Sequence, residues 1–243
     1  MKRALIVGGA NGIGLSIATE LAKIDECEKI YIVDKVEPAK EYTCNKFEYY
    51  QFDLMSSDYS LFDNFVDIDT LMITAGFGHL ALFKDLNEQY IVNSMTVNSI
   101  AVMRIIYHFY DKIQSSKDFY CGIMVSIAGF MSSPFFSVYG ASKAALKIFI
   151  ESVNVELEKA GTTNRILNVS PGAISGTSFY NATTNLNTLQ PLTSEIIKKL
   201  YSKDDLFIPL YDEIYKEVLH RYHNDFRAEG IHSYEYKLKK MDK

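Results

Sequence analysis

"ALIVGGANGIG", residues 4–14, decides how the rest of this chain is read. Ala4 to Val7 form a short apolar run of strand type, and Gly8, Gly9, Gly12 and Gly14 follow within seven residues. Glycine loses more backbone entropy on ordering than any other residue. A tight turn between strand and helix needs one glycine or two, so four imply a backbone that comes very close to something. Leu15, Ala18, Leu21 and Ala22 then recur at helical spacing. A strand–glycine–helix turn presents free N–H groups and the positive end of a helix dipole, an arrangement that holds a pyrophosphate.

Working outward, apolar runs alternate with helix-period segments. Strands are predicted at 3–7, 29–33, 47–52, 70–74, 122–126 and 165–169, with helices near 12–25, 57–65, 87–113 and 137–160. This order predicts an α/β fold, a doubly wound parallel sheet of Rossmann type with right-handed crossovers. No repeat or linker divides the chain, so residues 1–243 read as a single domain, with 175–243 a divergent substrate-loop and tail region. Residues 175–195 are rich in Ser, Thr and Asn. The stretch 175–200, with Asn181, Asn185 and Asn187, is expected to form a mobile lid. Beyond it Tyr211, Ile214, Tyr215, Val218, Leu219, Tyr222 and Phe226 fall on one helical face.

The composition is that of a globular protein, 48% hydrophobic and 23% charged. A net charge of −5 argues against nucleic acid or an anionic membrane surface as main partner. The three cysteines, Cys27, Cys44 and Cys121, lack metal-ligand spacing and read as free thiols of a reducing compartment. No apolar stretch approaches the length of a membrane span. A soluble, cytoplasmic protein is expected.

Three polar positions stand out at predicted strand ends. Asp34, twenty residues after Gly14, is placed to accept hydrogen bonds from an adenosine ribose. Asp53 either contacts adenine or caps the next turn. Ser126 reads as a strand-end serine at the carboxyl edge, where ligands bind in such sheets. Thirteen residues on, in "SVYGASKAAL" (137–146), Tyr139 and Lys143 lie four apart on one helix face. An ammonium near a phenol stabilises the phenolate and lowers its pKa from about 10. That suits a general acid/base near neutral pH.

Together these features resemble the short-chain dehydrogenase/reductase family over roughly residues 3–177. The resemblance makes Asn98 of "TVNSIAV", Ser126, Tyr139 and Lys143 a catalytic tetrad. It implies NAD as cofactor, bound by Gly8, Asn11, Gly12, Ile13, Gly14, Asp34, Asp53, Ala75, Gly76, Tyr139, Lys143, Pro171, Gly172 and Ile174. The activity implied is interconversion of an alcohol and a carbonyl on a small-molecule substrate. Tyr139 would exchange the proton, Ser126 would hold the substrate oxygen, and Asn98 would hold a water linking Lys143 to solvent. Val7 and Ile73-Thr74 replace hydrogen-bonding residues of the family pattern, Thr177 lies one place late, and the final strand ending in Asp-Gly-Gly is absent. Two other readings stay open: an NAD-dependent sugar-nucleotide epimerase or dehydratase, and a non-catalytic NAD-binding sensor. No metal site is expected, since His220 and His223 read as a solvated or core-edge pair. His79 is a candidate pocket residue, Lys35 a solvated turn residue, and Phe130 to Phe136 either packing or the wall of a bulky, apolar site. A homodimer, or else a tetramer, is expected, built on the helices near 95–113 and 137–160. In the second of these, Val138, Ala141, Ala145, Phe149, Val153 and Leu157 read as the core stripe.

Overall fold

Alternate residues of β1 (Arg3–Val7) enter two separate apolar layers. Leu5 and Val7 point to one, Ala4 and Ile6 to the other. A strand so buried on both faces belongs inside a parallel sheet. The computed structural model, which describes residues 1–177, 179 and 183–241, places β1 between β2 (Lys29–Asp34) and β4 (Thr70–Ile73). β3 (Phe47–Gln51) flanks β2; β5 (Tyr120–Met124), β6 (Ile166–Val169) and β7 (Leu206–Phe207) extend the other side. The order is β3-β2-β1-β4-β5-β6-β7, and all six pairings are parallel. The predicted α/β, doubly wound sheet is present.

On one face, α3 (Ala101–His108) and α5 (Ser137–Lys159) bury Ile105, Leu146 and Ile150 against Leu5, Leu71 and Ile123. On the other, α1 (Gly12–Ala22) and α6 (Leu186–Ser202) bury Ile17, Leu21, Ile196 and Leu200 against Ile6, Ile30 and Met72. Each such side chain contributes roughly 1.5–3 kcal/mol when fully buried. No helix among the described residues is long and apolar enough to cross a membrane.

Several sequence expectations need correction. The helix near 57–65 is only a 3₁₀ turn, Ser60–Asn64. Tyr59, Phe62 and Phe65 recur every third residue, which suits three residues per turn, and all three rings enter the core. Arg104 locks this segment by stacking 3.7 Å from the Tyr59 ring and donating to the carbonyls of Ser56 and Ser57. The lid over 175–200 is overturned for its second half. Residues from 186 onward are α6, whose Leu189, Thr193, Ile196, Ile197 and Leu200 are buried, and Asn185 caps it by accepting from Thr188 N at 3.1 Å. Polar composition had hidden an apolar stripe. Asn181 lies outside the described residues. The final strand survives as the two residues of β7, paired with Asn168 and Val169. The fifth strand ends two residues before Ser126, which instead caps the turn Ile127–Gly129.

The segment 87–113 is interrupted: α2 (Glu88–Met95), a π-helical turn Thr96–Ile100, α3, then α4 (Tyr110–Gln114). Of the expected stripe of α5, Val138, Val153 and Leu157 are buried and Phe149 packs against the core, but Leu146 and Ile150 join that core and Ala141 is exposed. Ile148 and Val155 are 58% and 60% exposed on its outer side; Ile100, just before α3, is 49% exposed, and Tyr107 of α3 is 83% exposed. In the tail, a π-helical turn Tyr211–Tyr215 leads into α7 (Lys216–Asn224) and α8 (Phe226–Met241). Leu219 is the one member of the predicted apolar face to be buried, against Ile127 and Ile208.

Candidate active site

The carboxyl ends of the strands open into one cleft of about 1450 Å³. That exceeds the few hundred to about 1000 Å³ of a pocket for one small ligand. It runs from Asp34 and Asp53 past Gly12 and Gly76 to Tyr139, and on to Lys237 of α8.

At its first end the glycine turn is closely packed. Gly8 has φ +84°, and a Cβ there would stand 2.4 Å from Ala75 N. A Cβ at Gly14 would stand 2.2 Å from Gly8 O and 2.4 Å from Thr74 Oγ1. The Thr74 hydroxyl donates to Gly8 O at 2.9 Å, with Val7 O 3.2 Å away. It thus ties the loop where the sequence lacks the usual hydrogen-bonding residues. Asn11 sits at the N-cap of α1 with its side chain exposed and making no capping bond, while Ile13 packs into the core. The Gly12 N–H donates to Thr184 Oγ1 at 2.9 Å, and Thr177 lies beside Gly12. These observations fit the loop to a dinucleotide's pyrophosphate: a cradle no side chain could enter, at a helix N-terminus facing a cleft.

Asp34 Oδ2 accepts from Ala10 N at 3.0 Å, and Oδ1 from Lys35 N at 2.7 Å. Asp53 caps the following turn by accepting from Met55 N at 2.9 Å and pairs with Lys35 Nζ at 3.0 Å. The backbone bond and that lysine hold its carboxyl below the usual range. Of the two readings for Asp53, the turn cap is realised, though its side chain also lines the cleft.

Asn98 lies within the π-helical turn, fully buried. Its Oδ1 accepts from Phe77 N at 2.9 Å; its Nδ2 lies 2.9 Å from Phe77 O, 3.2 Å from Ser94 Oγ and 3.1 Å from Ser142 Oγ. The amide thereby clamps the strand-end loop that carries Ala75 and Gly76. A Cβ at Gly76 would be 3.1 Å from Asn98 Oδ1 and 3.3 Å from Lys143 Nζ, so these three meet. Lys143 Nζ is buried, donates to Met124 O at 2.8 Å, and lies 5.8 Å from the centroid of the Tyr139 ring. Burial lowers its pKa from 10.5 to about 8. Ser126 Oγ accepts from Ala128 N at 3.2 Å and lies 3.5 Å from Pro171 O. The Tyr139 ring packs between Phe136 and Phe179, at 5.5 and 5.3 Å. Ile174 O accepts from Thr177 Oγ1 at 3.2 Å, and Tyr215 covers Gly172.

The fold thus brings the predicted residues to one cleft, except Asn98, which is buried behind it, and the site gains some that sequence reasoning missed. Thr74 carried a signal, being a hydroxyl residue where the family pattern has an amide. Thr184, Phe179, Tyr215 and Lys237 carried none, since they reach the site from distant elements. His79 is not among the residues facing the cleft; its N–H donates to Tyr90 Oη at 2.9 Å. Among the described residues no group of three metal-ligating side chains occurs.

A family model described as short chain dehydrogenase matches residues 2–187. The chain belongs to that family. Family relatives include an uncharacterized oxidoreductase of Saccharomyces cerevisiae, 25% identical over 77% of this chain and 65% of its own length. Human 17-beta-hydroxysteroid dehydrogenase type 1 is 27% identical over 69% of this chain and 56% of its own. The chain therefore spans a little under two thirds of the yeast relative. In fold, it is similar to a short-chain dehydrogenase from Streptomyces avermitilis at TM-score 0.76 and 16% identity, over 99% of this chain and 100% of that one. A second family structure, from Sphingobium yanoikuyae in complex with NADPH, gives TM-score 0.74 at 20% identity over 93% and 96% of the chains.

Proposed function

We propose that this enzyme interconverts an alcohol and a carbonyl using NAD(H), with Tyr139 as the acid/base. The observation that carries the reading is the convergence of Ser126, Tyr139 and Lys143 on one cleft below the glycine turn. A nicotinamide cofactor, when bound, supplies or accepts the hydride at the carbinol carbon. Gly12, Ile13 and Gly14 would hold its pyrophosphate, Asp34 its adenosine ribose, and Pro171, Gly172 and Ile174 its nicotinamide end.

In the alcohol-oxidising direction the Tyr139 phenolate takes the hydroxyl proton, and in reduction the phenol returns it. The Ser126 hydroxyl donates to the substrate oxygen and stabilises the charge that develops there. The Lys143 ammonium favours the phenolate electrostatically. The Asn98 amide is taken up by Phe77, Ser94 and Ser142, which leaves its backbone carbonyl as the group to hold the expected water. Here the amide is assigned a positioning role, fixing the loop beside Lys143. The choice of NAD rests on Asp34, with the nearby cation, Lys35, already held by Asp53.

A panel of alcohols and ketones, assayed with NADH and NADPH or their oxidised forms at the absorbance of reduced nicotinamide, tests the proposal. Turnover of at least one pair with NAD(H) is expected. No turnover with either cofactor across a broad panel would sink it.

A further inference from the structure

The tail helix α8 forms the cleft wall beyond Tyr139. It docks on the turn between Ser126 and α5: Tyr234 stacks on Phe135 at 4.8 Å, and a Cβ on Gly230 would stand 3.2 Å from Ser132 Oγ. Phe135 is held at φ +67°, a conformation bulky residues rarely adopt, so the docked turn is an enforced one. From α8, Lys237 Nζ donates to Ser133 Oγ at 2.7 Å and Pro134 O at 2.8 Å. It lies 5.4 Å from the centroid of Phe136, whose ring is in turn 5.5 Å from that of Tyr139.

Both hydrogen-bond partners of this ammonium are neutral, and one of its three N–H groups is left over. Among the described residues no carboxylate lies within ion-pair distance of it. The other cations facing the cleft differ. Arg221 forms a two-point pair with Glu229 at 2.7 and 3.2 Å, Lys35 pairs with Asp53, and Lys143 serves the floor beside Tyr139. Burial pulls the Lys237 pKa down to about 8, so its charge is held at a cost that an anion would relieve. A side chain needed only to pin the turn at Ser133 and Pro134 could be a neutral donor and avoid that cost.

We infer that the substrate carries a carboxylate, bound by Lys237 about one aromatic ring's breadth from the reacting carbon, with its intervening part on the Phe136 face. This rests on the alcohol–carbonyl reading above and names the substrate class within it. Apolar Met131 and Phe136 line the interval, which suits an aryl or short aliphatic spacer. Lys237 acts here as a specificity-determining contact rather than in proton transfer.

The test compares 4-acetylbenzoate with its neutral counterpart 4-acetylbenzamide, on the wild-type enzyme and on Lys237→Met and Lys237→Arg, with NADH. The wild type should favour the benzoate in kcat/KM by about tenfold or more. Lys237→Met should bring that ratio to about one, with the loss in the benzoate KM, and Lys237→Arg should keep most of it. A wild-type ratio near one, or a ratio that Lys237→Met leaves intact, overturns the inference; equal losses for both compounds would make Lys237 a strut. Calorimetric titration of 4-acetylbenzoate reads the site without turnover. Binding that weakens about tenfold in Lys237→Met, while neither compound nor any member of the broad panel is turned over with either cofactor, keeps the site and refutes the alcohol–carbonyl reading. Equal binding to both proteins, or none to either, refutes the site whatever the chemistry. Should Lys237→Met fail to fold, Lys237→Gln takes its place in both assays.

Discussion

Lys143 Nζ stands 2.8 Å from the carbonyl oxygen of Met124, the last residue of β5. Helix α5 thereby plants its ammonium on the end of a central strand, beneath the ring of Tyr139. No carboxylate among the described residues pairs with it, so the cation is held by one neutral acceptor in a buried setting. Such an arrangement favours function over stability, and it has measurable consequences.

Lys143→Met should abolish turnover yet stabilise the protein at pH 7. Depressing a lysine from 10.5 to about 8 opposes folding by roughly 3 kcal/mol. Losing the donor to Met124 O gives back about 1, leaving a gain of about 2 kcal/mol. The sign with pH follows from linkage. Below about pH 8 both folded and unfolded wild type hold the proton, and the full penalty applies. Between about 8 and 10.5 only the unfolded chain keeps it, so wild-type stability rises relative to the variant. Urea unfolding of both proteins at pH 7 and pH 10 checks this; a less stable variant at pH 7 contradicts it.

Tyr139→Phe should lower kcat by ~10²–10⁴ while leaving NADH affinity nearly intact. The phenylalanine ring retains the packing against Phe136 and Phe179 and loses only the exchangeable proton. Steady-state kinetics with calorimetric NADH titration decides. More than about a tenth of wild-type kcat would show that another group moves the proton.

NAD(H) should bind at least tenfold more tightly than NADP(H). A ribose 2′-phosphate facing the Asp34 carboxylate costs on the order of a few kcal/mol at an effective dielectric constant near 20. Asp34→Ser should narrow the gap, chiefly by improving NADPH, although it also removes the acceptor for Ala10 N and so loosens the glycine turn. Equal or tighter NADPH binding to the wild type would reverse the assignment.

The chain should be a homodimer across the outer faces of α3 and α5. Ile100, Tyr107, Ile148 and Val155 leave large apolar groups exposed there, on helices whose opposite sides already cover the sheet. Light scattering at micromolar concentration should give twice the 27.6 kDa chain mass. Ile148→Glu should shift it towards the monomer. A wild-type monomer would defeat the expectation.

The parallel sheet, the glycine turn and the strand-end position of Asp34 were legible from residues 3–177. Each depends on local spacing: period-two or unbroken apolar runs, glycines where a side chain would collide, and Tyr139 and Lys143 one helical turn apart. Where reading failed, long-range packing prevailed over local composition. Polar residues 186–200 became a core helix because every third or fourth side chain could reach α1. Residues 57–65 became a tight turn because three rings and Arg104 fit the core better that way. Asn98 was visible as a residue, but its hold on Phe77 depends on a π-helical turn that no pattern announces. Lys237 was invisible, an ordinary lysine in a charged tail. Only tertiary docking of α8 on the turn at Ser133 and Pro134 brings it within one ring of Tyr139, because partners 104 and 103 residues apart in sequence share no local periodicity.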